Sequence, residues 1–80
     1  MRITISIWEL PVGTAVIVAG YNRIYGGYIG KLISKGLLPN TSLVVLSFTK
    51  GTVQIMLQDK IIILSKPEAN ALCVDFKEED

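Results

Sequence analysis

The sequence predicts a mainly β domain, a small antiparallel sheet bent into a barrel and carrying one or two short helices. Three observations lead there. The chain has 80 residues, enough for one domain, which we place at residues 1–76 with an acidic tail at 77–80. Most of that length is short β-branched runs separated by turn residues, the pattern of successive antiparallel strands. The two stretches with helical spacing stand apart and do not alternate with strands, so βαβ units do not arise. Closing a small sheet into a barrel removes its exposed edges.

Each element has a local reason. Ile3, Ile5 and Ile7 alternate with Thr4 and Ser6, a period of two that reads as a short strand or an extended lead-in. Pro11-Val12-Gly13 is a turn signal, and the run from Gly13 to Gly20 is β-branched and bounded by glycines, hence a strand. Ile29, Leu32 and Ile33 then recur at i, i+3, i+4, one face of a helix. Gly26, Gly27 and Gly30 oppose helix, so its start is expected late, around Gly27 or Tyr28. Lys35 sits where a cation suits the helix dipole, Gly36 is the expected C′ residue, and Leu37 can close a hydrophobic contact over it. Pro39-Asn40 makes a turn. Strands follow at Ser42 to Phe48, Thr52 to Leu57 and Lys60 to Leu64, joined by the tight turns Lys50-Gly51 and Gln58-Asp59. Ser65 as N-cap, Pro67 in the first turn and Glu68 at the capping-box position start a brief helix ending near Leu72. Cys73 to Phe76 is a last strand.

Composition removes several chemistries. The chain has no His, the commonest general base and metal ligand, and its single cysteine, Cys73, permits neither an internal disulfide nor a CxxC zinc knuckle. Cys73 lies in apolar company and reads as an inert thiol. Within residues 1–74 the only acids are Glu9, Asp59 and Glu68, all in turn or cap contexts, so no catalytic residues and no metal ligands are assigned, and no cofactor is expected. Gly26-Gly27-x-x-Gly30-Lys31 does not follow the G-x-x-x-x-G-K-[ST] order of a phosphate loop, since Leu32 follows Lys31. No run approaches the roughly 20 apolar residues of a membrane span, and the N-terminus lacks a signal-peptide block, which points to a cytoplasmic protein. The net charge of +1 is a sum of unlike parts. Residues 1–74 hold seven basic and three acidic side chains; residues 75–80 hold one basic and four acidic.

The order of segments carries a resemblance. Ile7-Trp8-Glu9-Leu10-Pro11-Val12-Gly13 is followed by Val16 and Val18. A glycine-containing helix then ends in Leu32-Ile33-Ser34-Lys35-Gly36-Leu37, with Pro39 after it, and the chain closes on Glu68-Ala69-Asn70-Ala71-Leu72-Cys73-Val74. The succession resembles the FeoA family, ferrous iron transport protein A, and the similar SH3-like domain at the C-terminus of some metal-dependent repressors. It departs at Asn40, where the family has Gly after Pro, at the short Thr49–Thr52 connection, and at Ser65, where an Arg is usual. The resemblance implies an SH3-like barrel and a small cytoplasmic accessory or regulatory protein of bacterial ferrous iron uptake. It would act by binding the GTP-dependent iron permease FeoB, without inserting in the membrane itself. Transition metal binding attaches to the family by its naming only, and any GTP hydrolysis would belong to the partner.

The residues chosen for that docking are Tyr21, Tyr25, Tyr28 and Lys31, because tyrosine combines apolar area with a hydroxyl and is enriched in interfaces. Trp8 reads as a plug or lid at an open barrel end. Two other functions compete. Gly13-x-x-Val16-x-Val18-x-Gly20 resembles the opening of ribosomal SH3-like motifs, which implies an RNA-binding small barrel, although the modest charge makes nucleic acid an unexpected partner. The repressor likeness implies a regulatory SH3-like domain acting in trans.

Overall fold

The computed structural model describes residues 5–76; Ile3 and the acidic tail lie outside them. Six strands form one sheet: β1 (Ile5–Ser6), β2 (Ala15–Tyr21), β3 (Ser42–Thr49), β4 (Thr52–Leu57), β5 (Lys60–Ser65) and β6 (Leu72–Phe76). Their spatial order is β1-β6-β2-β3-β4-β5, every pair antiparallel. Helix α1 (Ile29–Ser34) stands between β2 and β3, and α2 (Lys66–Ala71) between β5 and β6. The mainly β, SH3-like architecture expected from the sequence is the one observed.

Alternation along the strands builds the core. Val16 and Val18 of β2, Val45 of β3, Val53 and Ile55 of β4 and Val74 of β6 are fully buried. Each such side chain stabilises the fold by roughly 1.5–3 kcal/mol relative to exposure. Two irregularities interrupt the alternation. Between β2 and β6 the register runs Val18↔Val74 then Gly20↔Cys73, leaving Ala19 as an extra residue. Between β3 and β4 it runs Val45↔Ile55 then Ser47↔Gln54, leaving Leu46 as the extra one. These are β-bulges, and each shifts the following residues by one face. Tyr21 and Phe48 thereby come opposite the buried Leu72 and Val53; Tyr21 packs against the core, while Phe48 stays exposed beside Trp8.

β1 and β5 end the strand order, and among the described residues no ladder joins them. Helix α2 bridges the two ends, touching β4, β5 and β6 and the 3₁₀ turn Ile7–Glu9 that follows β1. It starts as the sequence predicts. The Ser65 backbone N–H donates to Glu68 Oε1 at 3.0 Å, and the Ser65 side chain accepts from the Glu68 backbone, a reciprocal capping box. Trp8 is half-buried, a lid: its indole N–H donates to Asn70 Oδ1 at 2.8 Å, and its ring lies 5.7 Å from that of Phe48.

Candidate protein-docking site

The segment from Tyr21 to Lys35 is built in three steps. Asn22 caps a 3₁₀ stretch, Arg23–Tyr28, by accepting from the Ile24 N–H at 3.0 Å. Tyr25 breaks the helical path with φ −105° and ψ 36°, and α1 begins at Ile29, a residue later than the glycine content suggests. α1 buries only Leu32 and ends as a Schellman motif: Leu37 N–H donates to Leu32 O and Gly36 N–H to Ile33 O, both at 3.0 Å. Gly36 holds φ +91°, which its missing Cβ permits.

The four sequence-predicted residues fall on this one segment, in different roles. Tyr21 is a tether: its hydroxyl donates to Leu37 O at 2.7 Å, tying β2 to the end of α1, and burial raises its pKa. Tyr25 and Tyr28 are half-buried and pack against the core from outside, three residues apart on a 3₁₀ turn. Lys31 is exposed and its ammonium lies 5.4 Å from the centroid of the Tyr28 ring, within cation–π range. Ile24 beside them is 85% exposed.

The glycines here do not serve close packing inside the fold. A Cβ added at Gly26, Gly27 or Gly30 would meet nothing within 4 Å. They leave backbone bare on the outside, between the two tyrosines and along α1. Gly27 and Gly30 line an open depression of about 630 Å³ whose other walls are Lys31, Ser34, Lys35 and Glu68.

Lys35 and Glu68 form an ion pair of 2.7 Å that no local sequence signal announces, because the residues come from α1 and α2. Glu68 Oε1 also accepts from the Ser65 hydroxyl at 2.9 Å, and the Lys35 ammonium donates to Ile63 O at 3.1 Å. Burial alone would raise the Glu68 pKa, but the hydrogen bonds from Lys35 and Ser65 outweigh it and hold the carboxyl below its ordinary value. Cys73 is half-buried and burial pushes its thiol up, away from reactivity. Among the described residues no group of three or more His, Cys, Asp or Glu could hold a metal ion, and no helix is long and apolar enough to cross a membrane. The surface here is amphipathic, with half-buried tyrosines, bare glycine backbone and exposed Lys31.

Comparison with known proteins agrees on the fold. The family model of the FeoA domain matches residues 5–75. No curated protein matches the sequence. Among solved structures, a FeoA-like protein from Clostridium acetobutylicum is 20% identical with a TM-score of 0.83, over 100% of this chain and 94% of that one. An iron uptake regulatory protein (FeoA) is 24% identical with a TM-score of 0.75, over 91% and 96%. A manganese-dependent transcriptional repressor gives a TM-score of 0.86 at 19% identity over 96% of this chain. The chain spans only 44% of that repressor, and 38% of another solved with manganese.

Proposed function

Because the chain belongs to the FeoA family, we propose that it is a cytoplasmic regulatory module that docks on the GTP-dependent iron permease FeoB. Family membership makes it a small accessory protein of ferrous iron transport. The observation that carries the finer reading is the FeoA-domain match across residues 5–75, nearly the whole described chain. The surface chemistry supports it: two half-buried tyrosines, exposed Ile24, bare glycine backbone and Lys31 give an amphipathic face with no catalytic set in it. Docking rests on Tyr25, Tyr28 and Lys31, while Tyr21 supports them by fixing the end of α1.

Isothermal titration of the full chain against the cytoplasmic GTPase region of such a permease, in each nucleotide state, tests the reading. Saturable binding is expected, weakened about tenfold by Tyr25→Ala and less by Lys31→Ala, since aromatic anchors dominate interfaces and exposed lysines contribute little. No binding in any nucleotide state refutes it.

A further inference from the structure

β5 is an edge strand whose backbone direction can be read from its neighbours. Ile63 O accepts from Lys35 and Ser65 N–H donates to Glu68, so the backbone groups of Ile63 and Ser65 face away from β4. In an antiparallel ladder residues two apart face the same way, so the Ile61 N–H and C=O and the Ile63 N–H also point outward. Among the described residues no other element bonds to these three groups. The Lys35–Glu68 pair therefore closes the half of the edge nearest α2, and among the described residues the half nearest the Gln58-Asp59 turn stays open.

The outer face of the sheet adds a second observation. Ala15, Val44, Met56 and Ile61 pair in succession across β2, β3, β4 and β5, an apolar row running to the open edge. It ends on Ile61, which is 60% exposed, with Ile63 53% exposed beside it. Charge supplies a third. Lys60 opens β5 and Lys66 follows it, Lys35 sits on its edge, and Lys31 shares a depression with Lys35. Against them stand Asp59 in the turn and Glu68, already committed to Lys35.

We propose that the open edge of β5, from Lys60 to Ile63, accepts an extended acidic peptide of a partner protein as a further antiparallel strand. An apolar residue opposite Ile61 continues the cross-strand row, and flanking Asp or Glu side chains meet Lys60 and Lys35. A second copy of this chain is a poorer occupant, because pairing two β5 edges brings both sets of lysines onto one short ladder. The site uses a different element from the tyrosine face and does not depend on the identity of the permease.

The probe is the blocked synthetic peptide Asp-Glu-Val-Thr-Val-Glu-Asp, titrated into the isotope-labelled full chain and followed by amide shifts and hydrogen exchange. Shifts centred on Ile61 and Ile63, and exchange at Ile61 slowed about tenfold at saturation, are expected. Ile61→Pro removes an outward N–H and should abolish binding while an edge position tolerates the proline. Should that variant unfold, an N-methyl group on the peptide backbone facing Ile61 blocks the same bonds without touching the protein. Equal binding of the Lys-for-acid peptide, shifts centred elsewhere, dimerisation through β5, or no binding at millimolar concentration each overturns the proposal.

Discussion

Replacing Glu68 by Gln isolates the charge of one buried carboxylate. Gln can still accept from the Ser65 N–H, since either residue completes a capping box. What is lost is the ionised acceptor for Lys35 at 2.7 Å and for the Ser65 hydroxyl at 2.9 Å. Hydrogen bonds to charged groups contribute about 1.5–3 kcal/mol and neutral ones about 0.5–1.5. Against that gain, the Lys35 side chain is 33% exposed, so solvent screens part of the interaction. The net cost should be about 1–2 kcal/mol, a fall in Tm of about 5–15 °C for a chain this short. The pH dependence follows from the lowered Glu68 pKa. A carboxyl whose folded pKa lies below its unfolded value of about 4.3 stabilises fully above that value, and the benefit disappears as pH falls through the folded pKa. Thermal and urea melts of wild type, Glu68→Gln, Lys35→Met and the double variant at pH 7 and pH 3 measure it. The coupling between the two sites should be clear at pH 7 and smaller at pH 3, below the unfolded value of about 4.3. A Glu68→Gln protein melting within about 2 °C of wild type at pH 7 refutes the reasoning, as does a deficit unchanged at pH 3.

Three further outcomes are expected. Gly36→Ala should cost about 1–2 kcal/mol in urea melts, because φ is +91° and the new Cβ would lie 3.3 Å from Leu57 Cδ2. Gln58→Gly should stabilise by about 0.5–1 kcal/mol in the same assay, since Gln58 holds φ 58° in the β4–β5 turn and the relief exceeds the entropy that glycine adds. Tyr21→Phe should cost about 1 kcal/mol through the lost bond to Leu37 O, and should speed amide exchange at the end of α1.

Elements written by neighbouring residues were legible in the sequence. Ser65 with Glu68 spells the start of α2, Gly36 with Leu37 spells the end of α1, and Gln58-Asp59 joins two strands as a two-residue turn should. The candidate site was legible as a segment, with Tyr21, Tyr25, Tyr28 and Lys31 all upon it, but their separate roles were not. That Tyr21 is a tether depends on Leu37, across the fold. Features set by distant partners left no local trace. Lys35 and Glu68 lie on different helices, and Trp8 meets Phe48 and Asn70 from far along the chain. The 3₁₀ stretch Arg23–Tyr28 escaped because its glycines argued only against α-helix. The bulges escaped because an extra residue inside a β-branched run looks like any other strand position.

Those bulges make the chain count its residues. Ala19 and Leu46 contribute little as side chains that another small or aliphatic residue could not, so substitutions there should pass quietly. Deleting either is a different event. Without Ala19, Tyr21 moves to the opposite face of the sheet and its hydroxyl leaves Leu37; without Leu46, Phe48 changes face likewise and Trp8 loses its neighbour. The domain is tolerant in spelling and strict in length at two points, and relatives that keep this fold should vary in letters there before they vary in number.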